Sequence, residues 1–175
     1  MRKFTARDIT LAAMVAALYA VMGYFGNIFG LTFGPVQCRF AEALTVLPFV
    51  FPAAAPGLVV GCFLTNLISL YGPLDIIFGT LATAIAAWLT MRMPRWYLAA
   101  LPPILVNAVV LPPIWAWAKT GGINSAFWAS CAFDAITFIP GEALACYVLG
   151  TLLLFSLPKV PVLRACIPEK RLAGI

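Results

Sequence analysis

The sequence predicts an all-α integral membrane protein, a single bundle of six transmembrane helices with both termini in the cytoplasm. Three observations carry this prediction. Of the 175 residues, 63% are hydrophobic and 10% charged, and the mean hydropathy is +1.02, far outside the balance of a soluble domain. Breaks at Gly, Pro and charged clusters divide the chain into apolar segments at about 8–25, 38–52, 56–71, 74–91, 97–118 and 132–156, most of them near the ~20 residues that cross a hydrocarbon core. With six spans and a cytoplasmic amino terminus, Arg2, Lys3, Arg7, Arg92, Arg95, Lys159, Arg164, Lys170 and Arg171 fall inside, nine of the eleven basic residues, as the positive-inside rule requires. That distribution accounts for the net charge of +5 without a nucleic-acid partner.

The first segment begins with Arg2 and Lys3 and has the outline of a signal peptide. Asp8 interrupts that pattern and the apolar run continues through Val21 to Phe25, which predicts a retained helix. Small residues recur along it at four-residue spacing, Ala12, Ala16 and Ala20 on one face and Ala13 and Ala17 on another. Such faces permit close helix approach, either inside the bundle or against another subunit.

The second segment is short and carries Pro48 and Pro52, followed by Pro56. It reads as a kinked or partly tucked helix whose freed carbonyls must find partners on its neighbours. The third and fourth are separated by a Gly72–Pro73 break, and Ala82 and Ala86 repeat the small-residue spacing. The fifth and sixth are longer, and beyond Lys159 a basic, proline-broken tail is expected on the cytoplasmic surface. The chain is expected to form one membrane domain over residues 1–175, with no room for a soluble one.

Several chemistries are excluded or disfavoured. There is no histidine, which removes imidazole-based catalysis, zinc and haem sites. The five cysteines are scattered without a CxxC pair and read as small apolar packing residues. Neither a metal nor a resident cofactor is expected.

The polar residues of the spans collect in their outer halves: Gln37, Arg39 and Glu42 at the start of the second, Asn66 near the end of the third, Asp75 at the start of the fourth, Asn107 in the fifth, Asp134 and Glu142 in the sixth. Charged groups in hydrocarbon cost several kcal/mol each, so they are expected to face one another or a wet cavity at a common depth. Tyr71, Trp115, Trp117, Phe127 and Trp128 lie at the same level, as an interfacial belt or as a stacking surface for a flat ligand. Trp115 and Trp117 cannot share a helix face, so one at most lines a pocket.

Most of these positions admit two readings. Arg39 and Glu42, three apart, either neutralise each other or meet a ligand. Asn66 and Asn107 are interhelical hydrogen-bonding glue or ligand contacts. Asp75, after Gly72 and Pro73, reads more readily as an exposed helix cap than as a ligand group, and Asp134 has a similar alternative. Glu142, following Pro140 and Gly141, is less easily explained as a cap.

The stretch FGPVQCRFAEALTVLPFVFPAAAPGLVVGC, together with LDIIFGTLATAIAAWLT, LPPILVNAVV and PGEALACYVLG, closely resembles the QueT family, the S components of energy-coupling-factor (ECF) transporters that take up queuosine precursors. The resemblance covers most of the chain; GTLLL, after Val148 and Leu149, departs from the proline-containing ending typical of the family. It implies a six-helix subunit of the ECF S-component type in a bacterial plasma membrane, binding queuine or a related 7-deazaguanine in an outward-facing pocket. It also implies a transmembrane coupling protein and two ATPase partners, and the chain itself has no GxxxxGK[ST] phosphate loop. In related S components an alanine motif of the first helix meets the coupling protein, which points here to Ala12, Ala16 and Ala20, or alternatively to Ala13 and Ala17. For the substrate, Glu142 and then Glu42 are the expected acceptors of the base's adjacent N–H donors, with Asn107, Gln37 and Arg39 as complementary partners and Asp75, Asn66, Asp134, Tyr71 and Trp115 around them. The alternatives are an S component for another vitamin-like molecule or a membrane-embedded enzyme using Glu42 and Glu142 as an acid/base pair.

Overall fold

The structure, a computed structural model, describes residues 4–32 and 39–172. Its described residues form helices and no strand. Helix α1 (Ala6–Ile28) starts at a capping box in which Thr5 Oγ1 accepts from the Asp8 amide and the Asp8 carboxylate accepts from the Thr5 amide, so Asp8 caps the first helix. A 3₁₀-helix, Phe40–Phe49, precedes α2 (Ala54–Asn66). A π-helical turn, Asp75–Gly79, leads into α3 (Thr80–Thr90), and α4 (Leu101–Thr120) follows. Helix α5 (Ser125–Ala143) runs through a second π-helical stretch, Leu144–Leu149, into α6 (Gly150–Ser156), and the tail carries α7 (Pro161–Arg164) and α8 (Glu169–Leu172).

Three helical stretches, Ala6–Ile28, Trp96–Thr120 and Ser125–Lys159, are long and apolar enough to cross a membrane, while Phe40–Phe49, Ala54–Asn66 and Asp75–Thr90 are shorter apolar helices. These correspond in order to the six expected segments. The last begins earlier than expected because Gly121, at φ +69°, ends α4 in the left-handed conformation and Asn124 then caps Phe127 at 3.0 Å. Large apolar side chains point outward along the bundle, among them Met14, Leu18, Val21 and Phe25 of α1, Leu81 and Ile85 of α3, and Val109 of α4. In water such a surface would aggregate; against lipid it is the expected exterior.

The second segment is more than a kinked helix: it is the axis of the fold. Every residue from Ala41 to Phe49 is buried, and the segment packs against α1, α2, α3, α6 and Leu144–Leu149. A 3₁₀-helix rises about 2 Å per residue against 1.5 Å for an α-helix, so ten residues reach about 20 Å instead of 15 Å. The tighter rod lets a short sequence extend through the centre of the bundle.

Helices α1 and α2 approach through small residues. A Cβ on Gly57 would collide with the Ala12 backbone, and one on Gly61 would stand 2.8 Å from Ala16 O and 2.7 Å from Tyr19 Cβ. The Ala12, Ala16 and Ala20 row therefore packs inward, with Ala16 and Ala20 buried, whereas Ala13 and Ala17 are exposed. Ala82 and Ala86 are likewise buried.

The tail folds back over one end of the bundle. Arg171 donates to the carbonyls of Met91 (2.7 Å) and Met93 (2.6 Å) and lies over the Phe49 ring, while Arg7 of α1 meets Cys166 at 2.5 Å. The described amino- and carboxyl-terminal segments thus share an end with Arg92 and Arg95, and Arg39 and Lys119 lie away from it. Placing a large side chain at Gly57 forces α1 from α2: Gly57→Leu is expected to destabilise the detergent-solubilised protein by about 1–3 kcal/mol. The same leucine at exposed Ala13 leaves the melting temperature unchanged, a contrast read directly by thermal unfolding.

Candidate functional site

The inward face of α4 organises the polar interior. Asn107, Leu111, Trp115 and Lys119 follow one another at four-residue steps and so lie along one side of the helix. Three of them reach an acid: Asn107 Nδ2 donates to Glu142 Oε1 at 2.7 Å, Trp115 Nε1 to Asp75 Oδ1 at 2.7 Å, and Lys119 Nζ to Asp134 Oδ1 at 2.5 Å. Twelve residues of α-helix span about 18 Å, so the acids form a ladder. The expectation of one shared depth is corrected accordingly, since Asp134 and Glu142 sit eight residues apart on α5, about 12 Å along its axis.

Asp75 is the hub of the middle rung. It is fully buried, and it accepts from Trp115, from Ser69 Oγ, and from an ion pair with Arg39 at 3.8 Å. Its backbone carbonyl accepts from Asn66 Nδ2 at 2.9 Å. The exposed-cap reading of Asp75 is therefore overturned: the π-helical turn carries the carboxylate into the bundle. Trp115 stacks on Tyr71 with centroids 5.6 Å apart and meets Phe138 edge-on at 5.3 Å. Trp117 and Trp128 are exposed while Trp115 is buried, as helical geometry required of the Trp115 and Trp117 pair.

The expected pairing of Arg39 with Glu42 is also replaced. Arg39 precedes the 3₁₀-helix in an extended conformation, so the spacing that brings helical neighbours together does not apply, and its guanidinium pairs with Asp75. Glu42 instead accepts from Tyr19 Oη at 2.5 Å. Both glutamates are almost fully buried, and Glu42 Oε2 and Glu142 Oε2 each lack a hydrogen-bond partner. Asn66 Oδ1 is in the same condition. Buried carboxyl oxygens left without donors are costly.

Gln37 lies outside the described residues. Of the other expected site residues, Glu42 with Tyr19 and Glu142 with Asn107 line adjoining elements, because the 3₁₀-helix packs on the stretch after Glu142 and Cys146 Sγ lies 3.6 Å from Glu42 O. Asn66, Asp75, Arg39, Trp115 and Tyr71 make the neighbouring rung, and Asp134 stands apart at the α4–α5 turn with Lys119. Glu142 owes its place to Pro140, which removes a helical hydrogen bond, and to the widened π-helical stretch that follows.

Three participants were not expected. Tyr19 was hidden among the alanines of α1; its one signal is a hydroxyl on the small-residue face. Ser69 lies in the α2–α3 connection. Cys62, read as packing, accepts from Asn66 Nδ2 at 3.3 Å and Thr83 Oγ1 at 3.2 Å, so its sulfur also joins α2 to α3. No group of three or more metal-ligating side chains occurs among the described residues.

Removing the hub strands a buried guanidinium. Asp75→Ala is expected to cost on the order of 3–5 kcal/mol, with a lowered melting temperature and altered tryptophan emission from loss of the Trp115 hydrogen bond. Asp75→Asn, which keeps the shape and an acceptor, should lose less.

A family described as the QueT transporter matches residues 9–159. The Queuosine precursor transporter QueT of Lactococcus lactis subsp. cremoris (strain MG1363) is 31% identical over 85 residues, 49% of this chain and 50% of that protein, so the matched region spans about half the length of the relative. No solved structure gives a significant match. With a family match that runs from the first turn of α1 past the end of α6, the chain belongs to the QueT transporter family.

Proposed function

We propose that this chain is the substrate-binding S component of an ECF-type, ATP-driven importer in a bacterial plasma membrane, and that it captures queuosine precursors of the 7-deazaguanine class. The observation that carries the reading is the family match over residues 9–159, joined to a buried interior with unpartnered carboxyl oxygens at Glu42 and Glu142. The name of the Lactococcus relative supports the substrate class.

A 7-deazaguanine presents adjacent N–H donors along one edge. The Glu142 and Asn107 pair, already joined at 2.7 Å, offers a carboxyl oxygen and an amide oxygen that suit such an edge. Glu42 is the second acceptor. The Tyr71 and Trp115 stack, fixed by Asp75, would form an aromatic wall for a flat ring. A site of this kind rejects analogues that leave its buried acceptors unpaired.

Orientation follows from the basic residues at the end where the tail docks: with that end in the cytoplasm, the Asp134 and Lys119 rung faces outward and the site opens to the exterior. The coupling protein would then meet the cytoplasmic end. Of the two alanine rows of α1, Ala13 and Ala17 form the exposed one, and a groove of ≈ 930 Å³ lined by Leu11, Met14, Phe51, Met91 and Leu163 lies at the same end as the tail. ATP hydrolysis belongs in this scheme to two ATPase partners.

Purified protein is expected to rise in melting temperature with a 7-deazaguanine base; no shift with any such base refutes the substrate class. Glu142→Gln, which puts a donor where an acceptor is needed, should weaken binding at least about tenfold, the worth of one charge-assisted hydrogen bond. Ala13→Trp should abolish uptake in cells while leaving binding intact, and retained uptake would reject that face as the docking surface.

A further inference from the structure

The groove of ≈ 930 Å³ opens between the start of α1, the connection from the 3₁₀-helix to α2, and the tail. Leu11 and Met14 of α1, Val50, Phe51 and Pro56 of the connection, and Leu163 of the tail line it. Its polar side chains apart from Cys166 are Arg7, Asp8 and Thr10, all in the first two turns of α1. The groove is therefore polar at one end and apolar beyond it. Arg7, Leu11 and Met14 share a helix face, and α1 rises about 10 Å from Arg7 to Met14. Volume and lining match a small-molecule site. On the outside of a bundle whose exposed side chains include Ile9, Met14 and Leu18, such an opening is filled by hydrocarbon when the surround is lipid.

Charge decides what fits the polar end. Arg7 is exposed, and among the described residues its guanidinium has one hydrogen-bond partner, the Cys166 sulfur at 2.5 Å, a weak acceptor for a group with five donors. Asp8 beside it accepts from the Thr5 amide and hydroxyl. Elsewhere at this end Arg92, Arg95, Lys159 and Arg164 are exposed, Arg171 is engaged by backbone carbonyls, and Glu169 is the other described acid. We propose that the groove holds a phospholipid with an anionic headgroup, its acyl chain along Leu11, Met14, Phe51 and Leu163 and its phosphate on Arg7. Basic pockets beside membrane helices take such headgroups, and a guanidinium meets two phosphate oxygens as a fork. The cytoplasmic leaflet as the source of the lipid rests on the orientation proposed above.

The test is native mass spectrometry of the purified chain in detergent micelles, titrated with dioleoylphosphatidylglycerol and with dioleoylphosphatidylcholine. The glycerol lipid is expected to form a one-to-one adduct at least about fivefold more tightly, the worth of one arginine beside an anionic headgroup. Arg7→Gln should remove most of that preference. Met14→Trp, a change at an exposed side chain, should fill the apolar end and weaken both lipids together. Equal binding of the two lipids by the unaltered chain overturns the proposal, and that comparison stands even if a variant fails to fold. A preference that survives Arg7→Gln overturns the assignment of the phosphate to Arg7, and unchanged binding in Met14→Trp overturns the path of the acyl chain. A dimer mass without lipid assigns the groove to a second copy of the chain and overturns the proposal as well. Micelles have no sides, so each result bears on the groove and leaves the orientation and the substrate class to their own tests.

Discussion

The polar interior depends on one buried carboxylate. Asp75 ties the start of the 3₁₀-helix through Arg39, the α2–α3 connection through Ser69, and α4 through Trp115. Arg39 and Trp115 are buried and have no water to turn to, so their contacts are enforced by the cost of breaking them. The arrangement of the Trp115, Tyr71 and Phe138 rings follows from it, because the indole nitrogen fixes which way the ring faces.

From that point the bundle separates into zones with different physical demands. At one end, basic residues and the folded-back tail make a polar cap, closed by Arg171 on the carbonyls of Met91 and Met93. Through the centre runs a buried 3₁₀-helix, longer for its residue count than an α-helix and narrow enough for neighbours to close around it. Toward the other end, α4 presents its ladder of amide, indole and ammonium to three acids. Glycine on α2 and alanine on α1 keep the backbones close enough for Tyr19 to reach Glu42.

On the proposed function, the placement of the two glutamates joins architecture to substrate capture. Both lie beside departures from regular α-helix, Glu42 in the 3₁₀-helix and Glu142 between Pro140 and a π-helical stretch. Irregular backbone inside a membrane protein is tolerated where neighbours satisfy it or where it lines a site. That both irregularities carry a carboxyl with an unpartnered oxygen is the structural basis for reading them as ligand acceptors.

Much of this was legible in the sequence. Hydropathy named the six segments, the absence of histidine bounded the chemistry, and the scarcity of charge made Arg39, Glu42, Asn107 and Glu142 stand out. Which groups pair was not legible. Arg39 and Glu42 are three apart, yet the residue before a helix does not obey helical spacing, and Asp75, dozens of residues away, takes the guanidinium. Asp75 itself looked like an exposed cap because a Gly–Pro break precedes it; the π-helical turn that buries it has no sequence signature. Cys62 resembled a packing residue, and Tyr19 drew no reading, because their role lies in what stands opposite them.

The sequence by itself determined the solvent, the helical class and the roster of polar groups, since these depend on composition and on periods along one chain. Tertiary structure alone decided the partners: which alanine face turns inward, which acid receives the arginine, and which carboxyl oxygens stay unmatched. Those outcomes depend on helix rotation and depth, which are set by close packing among all the elements at once.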